Sequence, residues 1–100
     1  MNEANKLTDI TQKVVVAMAV GELGRARANY PPMASYHEGW AIIQEEVEEL
    51  WAEVRKRPGA RDRRKMQEEA VQVAAMALRF VVDLVPPLLS ERTKANEDNR

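Results

Sequence analysis

Apolar residues recur every three or four positions along most of the chain, which is the spacing of one face of an α-helix. Trp40 to Val54 and Met66 to Leu84 show this pattern most clearly. No segment alternates apolar and polar residues between turn signals, as a half-buried strand would. The sequence therefore predicts an all-α fold.

Proline, glycine and capping residues divide this pattern into separate helices. Three main helices are expected, at about residues 8–29, 35–57 and 62–85. Leu88 and Leu89 are expected to dock a short fourth helix, and residues 91–100 read as a polar, loose tail. A single domain over residues 1–100 is thus predicted, built as a helical hairpin or bundle of three to four helices.

Each helix has an apolar face that we expect to point inward. In the first helix this face comprises Leu7, Ile10, Val14, Ala17, Met18 and Gly21. In the second it comprises Trp40, Ile43, Val47, Leu50 and Val54. In the third it comprises Met66, Ala70, Val73, Ala77, Phe80, Val81 and Leu84.

The length and composition of the chain restrict its class. One hundred residues give a thin core, so burial against a second copy is expected, in a homodimer or homotetramer. The chain has no cysteine, no signal-peptide pattern and no apolar run of the ~20 residues that a membrane span needs, which favours a cytoplasmic protein without a membrane partner. The formal net charge of -1 argues against binding of a nucleic-acid polymer.

Two short acidic segments are the candidate chemistry. Glu46 and Glu49 stand three residues apart in the second helix, as do Glu69 and Gln72 in the third, so each pair shares one helix face. A hairpin through Pro58-Gly59 brings the two pairs level. Three carboxylates and an amide at one place repel one another unless a cation neutralises them, and Mg²⁺ or Mn²⁺ accepts such ligands. The alternative is a solvated helix face, for which glutamate is the commonest residue.

The segments 35–51 and 68–77 resemble the MazG-like all-α nucleotide pyrophosphohydrolases, whose pattern is Glu-Glu-x-x-Glu followed after a variable gap by Glu-x-x-Asp. The resemblance covers roughly residues 7–85. Carried over by position, Glu46, Glu49 and Glu69 match the metal ligands, and Gln72 stands where the family usually has Asp. An amide oxygen still coordinates Mg²⁺, but the missing charge weakens the hold on the metal.

The resemblance implies hydrolysis of a nucleoside triphosphate, often a deoxy or noncanonical one, to the monophosphate and pyrophosphate. Glu46, Glu49 and Glu69 are the expected catalytic residues, and Gln72 is a weaker metal ligand or a partner of one. Two rival functions remain open at this stage: a catalytically silent helical interaction module, and a metal-dependent nucleotide sensor without turnover.

Four further residues are candidates for substrate binding: His37, Trp40, Arg79 and Lys94. His37 and Trp40 would touch a base or phosphate, although a role at a helix end or an interface fits them as well. Arg79 would reach triphosphate oxygens, and a salt bridge to Asp83 is its alternative. Lys94 would fold over a phosphate.

Overall fold

A computed structural model of the chain describes residues 2–85. The all-α prediction is confirmed: these residues form three α-helices and a single 3₁₀ turn, and contain no strand. The elements are α1 (Glu3–Asn29), α2 (Tyr36–Val54), the 3₁₀ turn η1 (Pro58–Ala60) and α3 (Arg63–Leu84). Helix α1 begins five residues earlier than expected, because Asn2 caps it by accepting a hydrogen bond from the Asn5 amide at 2.9 Å. The expected fourth helix and tail lie outside the described residues.

The caps of the two hairpin helices follow their sequence signals. The Ser35 hydroxyl accepts a hydrogen bond from the Glu38 amide at 3.1 Å, and the Glu38 carboxylate accepts one in return from the Ala34 amide at 3.2 Å. Asp62 caps α3 by accepting from the amides of Arg64 and Lys65. These side chains satisfy backbone donors that a helix start would otherwise leave unpaired.

Helix α3 is the centre of the fold. Helices α1 and α2 both pack against it, and within residues 2–85 no Cα atom of α1 lies within 8 Å of a Cα atom of α2. Its buried residues Val71, Ala75 and Met76 join Ala26 of α1 in the small core. Helix α2 lies close against α3 at Gly39, where a β-carbon would stand only 2.6 Å from the Phe80 ring. Glycine is therefore required there to seat the start of α2.

The prediction of the inner face of α1 is mostly wrong: Met18 is half-buried, but the other five residues are exposed. Leu7, Ile10 and Val14 are all more than half exposed, whereas the buried residues are Ala19 and Ala26. The reason is that α1 is about 40 Å long at 1.5 Å per residue and only its C-terminal half reaches α3. Its N-terminal half projects beyond the other helices. The radius of gyration of the structure is accordingly 17.4 Å, against about 13 Å for a compact domain of this length.

The apolar faces expected for α2 and α3 are only partly buried. Trp40 and Val47 are exposed in α2, and Ala70, Ala77 and Val81 are exposed in α3. Instead, Gly39, Glu46 and Glu53 of α2 face α3. The surface of α2 that contacts α3 therefore includes two of its glutamates and is not the apolar face alone. The apolar flanks of both helices are thereby left facing outward. No helix within residues 2–85 is long and apolar enough to cross a membrane.

Candidate metal site at the hairpin

The hairpin brings Glu46, Glu49 and Glu69 together, and we call this group the acidic triad. Carboxylate oxygens of the three side chains all lie within 4.8 Å of one another. Glu46 and Glu69 are half-buried between α2 and α3, and Glu49 is exposed. The i, i+3 spacing on α2 and the antiparallel return of α3 therefore produce the convergence that the sequence predicts.

The electrostatics of the acidic triad are those of a strained group of like charges. Burial, together with the neighbouring carboxyls of Glu49 and Glu69, raises the pKa of Glu46 to about 7. Burial also raises the pKa of Glu69, and the Glu49 carboxyl beside it adds to the effect. Each shift means that the protein disfavours negative charge here, so a cation bound among these oxygens would be stabilised by relief of their repulsion.

The chemistry of the donors selects the class of metal. Three carboxylate oxygens, and no nitrogen or sulfur ligand among the clustered side chains of the described region, suit a hard cation such as Mg²⁺ or Mn²⁺. The triad supplies only three ligand side chains, which leaves coordination positions for water and for substrate oxygens. The residues present therefore fit the metal that the sequence predicts.

Gln72 is engaged by a residue that the sequence analysis missed. Its Nε2 donates a hydrogen bond of 2.6 Å to Glu22 Oε2 on α1. The same oxygen accepts from Arg25 Nε at 3.0 Å and lies 2.9 Å from Arg25 Nη2. The Arg25 guanidinium, followed by the Gln72 amide, lowers the pKa of Glu22 below its ordinary value. The only signal in the sequence was the i, i+3 spacing of Glu22 and Arg25, which is common on solvated helices.

A cavity of about 270 Å³ opens beside Glu46, where all three helices contribute walls. Gln72 lies on this cavity, so the amide that contacts Glu22 also borders the space next to the triad. The guanidinium-bearing residues Arg25 and Arg79 line it together with Glu45. Ala26, Tyr30, Ile42 and Met76 supply its apolar lining. The lining thus includes two carboxyl-bearing residues and two guanidinium-bearing residues.

Arg79 is held by the protein itself. It is 5 % exposed, its Nη2 donates to the Pro31 carbonyl at 2.7 Å, and its Nε lies 3.4 Å from Asp83 Oδ2. That carboxylate oxygen also accepts the Met33 amide at 2.9 Å. The salt bridge to Asp83, the alternative considered from sequence, is therefore present. Arg79 ties the α1–α2 connection to α3, and its contact with substrate stays a prediction.

The other predicted substrate residues lie away from the acidic triad. His37 and Trp40 line a separate, open apolar depression of about 530 Å³ with Tyr36, Ile43 and Phe80. At 100° per residue, Trp40 stands about 120° around α2 from Glu46. Trp40 is 60 % exposed, so the packing of the single chain leaves most of this side chain uncovered. Lys94 lies outside the described residues.

Glu53 is a further acidic residue of α2, and it is only 8 % exposed. Lys56 neutralises it at 2.6 Å, three residues further along the chain. Glu48 is exposed, whereas Glu45 lines the cavity beside Glu46. Glu48 is therefore the cleaner control residue for tests of the triad.

Comparison of the chain with protein-family models, with curated proteins and with solved structures finds no match. The acidic triad is therefore the feature of the described residues that bears most directly on function.

Proposed function

We propose that the protein is a Mg²⁺-dependent nucleoside triphosphate pyrophosphohydrolase, which releases a nucleoside monophosphate and pyrophosphate. The observation that carries this proposal is the convergence of three carboxylates within 4.8 Å of one another. One of them, Glu46, also lines a cavity that Arg25 and Arg79 line. Carboxylates hold the cation that binds phosphate oxygens, and arginines complement the remaining phosphate charge.

The chain's own residues have distinct tasks in this proposal. Glu46 and Glu49, on successive turns of α2, hold the cation from one side, and Glu69 on α3 holds it or orients the attacking water from the other. Bound Mg²⁺ would supply charge neutralisation at the phosphates and a more acidic water. Because phosphoryl transfer needs mainly positioning and electrostatic stabilisation, a rigid helical hairpin suffices as the scaffold.

The same proposal includes self-association and a cytoplasmic location. Large apolar side chains are exposed along α1 and on the outer flanks of α2 and α3, and a second copy would cover them. A homodimer or homotetramer is the proposed form. The uncovered faces also favour the rival function, a helical interaction module in which the acids are surface residues.

The decisive experiment measures pyrophosphate and monophosphate formation from a panel of ribo- and deoxynucleoside triphosphates, with Mg²⁺, with Mn²⁺ and with a chelator. We expect turnover of at least one nucleotide with either metal and none with the chelator. Release of orthophosphate instead of pyrophosphate would contradict cleavage at the α–β link.

Thermal unfolding with and without Mg²⁺ separates the rivals. A ligand that binds only the native state raises the unfolding midpoint. An interaction module without a metal site predicts no change, whereas a sensor predicts stabilisation by metal and nucleotide without any product.

A further inference from the structure

The end of the hairpin, where α2 turns back into α3, is strongly basic, and we call residues 55–65 the basic tip. It holds one acid, Asp62, and seven cationic residues: Arg55, Lys56, Arg57, Arg61, Arg63, Arg64 and Lys65. The formal charge of the tip is therefore +6, and the remainder of the chain carries −7. The net charge of -1, on which the expectation of no nucleic-acid partner rests, is the sum of two opposed regions.

Most cations of the basic tip are free to contact an anion. Every residue from 55 to 65 is exposed. Among residues 2–85, the only salt bridge that involves a cation of the tip joins Lys56 to Glu53. Asp62 accepts hydrogen bonds from backbone amides and forms no salt bridge within the same residues. The side chains without an acidic partner there include those of Arg55, Arg57, Arg63, Arg64 and Lys65.

Three of these cations stand where they do not help the fold. Arg63, Arg64 and Lys65 begin α3, and the first turn of this helix contains no acidic residue. The N-terminal end of a helix carries partial positive charge, so cations are unfavourable there. Arg55 follows the end of α2, where the same rule makes a cation favourable. The charge at the start of α3 thus opposes local stability, as is expected of residues that serve a partner.

The backbone of the basic tip is held in one shape. The Ala60 amide donates to the Arg57 carbonyl at 2.9 Å and closes the 3₁₀ turn. Arg61 Nε donates to the Val54 carbonyl at 2.9 Å and ties the turn to the end of α2. The cap at Asp62 fixes the start of α3. A partner therefore meets preformed positions for the cations, which lowers the entropy cost of binding.

We propose that the basic tip binds the phosphodiester backbone of a double-stranded nucleic acid without reading its sequence. Five of its seven cations are arginines, whose planar guanidinium matches phosphate oxygens. The tip has no large apolar or aromatic side chain. A protein partner normally needs such an anchor, and a single strand needs aromatic rings on which to stack its bases. Phosphate contacts alone suffice for sequence-independent binding of a duplex.

The acidic remainder of the chain does not prevent this contact. At physiological ionic strength, exposed charges more than about 8 Å apart are largely screened from each other. A backbone that lies across the end of the hairpin therefore interacts mainly with the tip. The inference is independent of the metal site, because it uses none of the acidic triad.

Fluorescence anisotropy of a short labelled DNA duplex tests the proposal, with the full chain, a chelator and a series of salt concentrations. The chelator removes any metal bridge to the acidic triad. We expect the logarithm of the association constant to fall with the logarithm of salt concentration at a slope of about −4, as for four or five phosphate contacts. The double variant Arg63→Gln/Arg64→Gln should bind about tenfold more weakly and reduce that slope by about two.

A matched control separates the tip from overall charge. Lys6→Gln/Arg27→Gln removes two exposed cations of α1 and changes the net charge equally, and it should bind the duplex as the original chain does. The tip variant should melt at the same temperature as the original chain or slightly higher, because it removes cations from the start of α3. Its loss of binding then does not come from unfolding.

The remaining outcomes decide between partners. Duplex RNA bound as well as duplex DNA would support recognition of the shared backbone. The inference is overturned if the tip variant binds like the original chain, if affinity does not depend on salt, or if a single strand binds more tightly than the duplex. Polyglutamate bound as tightly as the duplex would indicate an acidic protein partner instead. A lower molar mass of the tip variant in light scattering would place the tip between copies of this chain, which also overturns it.

Discussion

The hairpin of α2 and α3 and the helix α1 differ in how much of their surface is packed within the single chain. In the hairpin, two capped helices pack along most of their length and bring three acids together. Helix α1 packs only through its C-terminal half and leaves Leu7, Ile10, Val14, Val16 and Val20 more than half exposed. The acidic triad therefore lies where the chain packs on itself, and many of the exposed apolar side chains lie where it does not.

The two regions also differ in what specifies their structure. The hairpin is specified by local signals: the caps at Ser35 and Asp62, the turn at Pro58-Gly59 and the close approach at Gly39. Helix α1 is apolar on several sides, and such a helix is normally buried within a larger assembly. A hydrogen bond between Glu22 and Gln72 ties its C-terminal half to α3.

The largest expected effect concerns the hairpin alone. Glu46→Gln, Glu49→Gln and Glu69→Gln each keep side-chain size but remove charge from the triad. Turnover should fall by about 10³-fold or more in each case, as losses of preorganised electrostatic stabilisation do. Pyrophosphate release under saturating Mg²⁺ is the measurement.

The control for this prediction is Glu48→Gln, an exposed glutamate on the same helix, which should keep full activity. The metal-free triad variants should also be as stable as the original chain or more so, because each removes repulsion. Equal activity in the control and the triad variants would mean that the triad has no catalytic role. The helical interaction module would then be the better hypothesis.

The next effect concerns the link between the two regions. Arg79→Ala removes the cation that pairs with Asp83 and the donor to the Pro31 carbonyl, leaving a nearly buried carboxylate without its partner. We expect a loss of about 3 kcal/mol in the free energy of unfolding. Denaturant titration measures it, with exposed Arg27→Ala as the control. If the variant is as stable as the original chain but has a raised KM, Arg79 serves the substrate and not the fold.

A third effect tests the exposed face of α1. Replacing Ile10 and Val14 by lysine should weaken self-association by at least tenfold, because it places charge where the second copy is proposed to cover apolar surface. Light scattering across a dilution series gives the molar mass. Lysine at the already polar Thr8 and Thr11 is the matched control. A monomeric mass for the unmodified chain at micromolar concentration would refute the assembly.

Much of the fold and part of the site could be predicted from sequence, for identifiable reasons. Helix ends follow capping and breaking residues, and the convergence of Glu46, Glu49 and Glu69 follows from i, i+3 spacing across a hairpin. The buried faces could not be predicted, because hydrophobic periodicity shows that Leu7 or Trp40 needs covering but not whether the same chain covers it. Glu22 was missed because its partner is 50 residues away.

The smallest effect is the pH dependence of the metal-free hairpin. The pKa of Glu46 is raised to about 7 in the folded chain from an ordinary value of 4.5, so between these pH values the folded state binds more protons than the unfolded state. Stability from this group is therefore complete below pH 4.5 and is lost as the pH rises through 7. The metal-free melting temperature should fall by a few degrees across that interval, whereas the Mg²⁺-bound protein should show the opposite trend, because protons compete with the cation for the same oxygens. Calorimetric scans at a series of pH values test both trends. Glu46→Gln should flatten the metal-free curve, and Glu48→Gln should leave it as in the original chain. A metal-free melting temperature that does not fall over this interval would mean that Glu46 ionises at least as readily in the folded hairpin as in the unfolded chain, and would contradict the prediction.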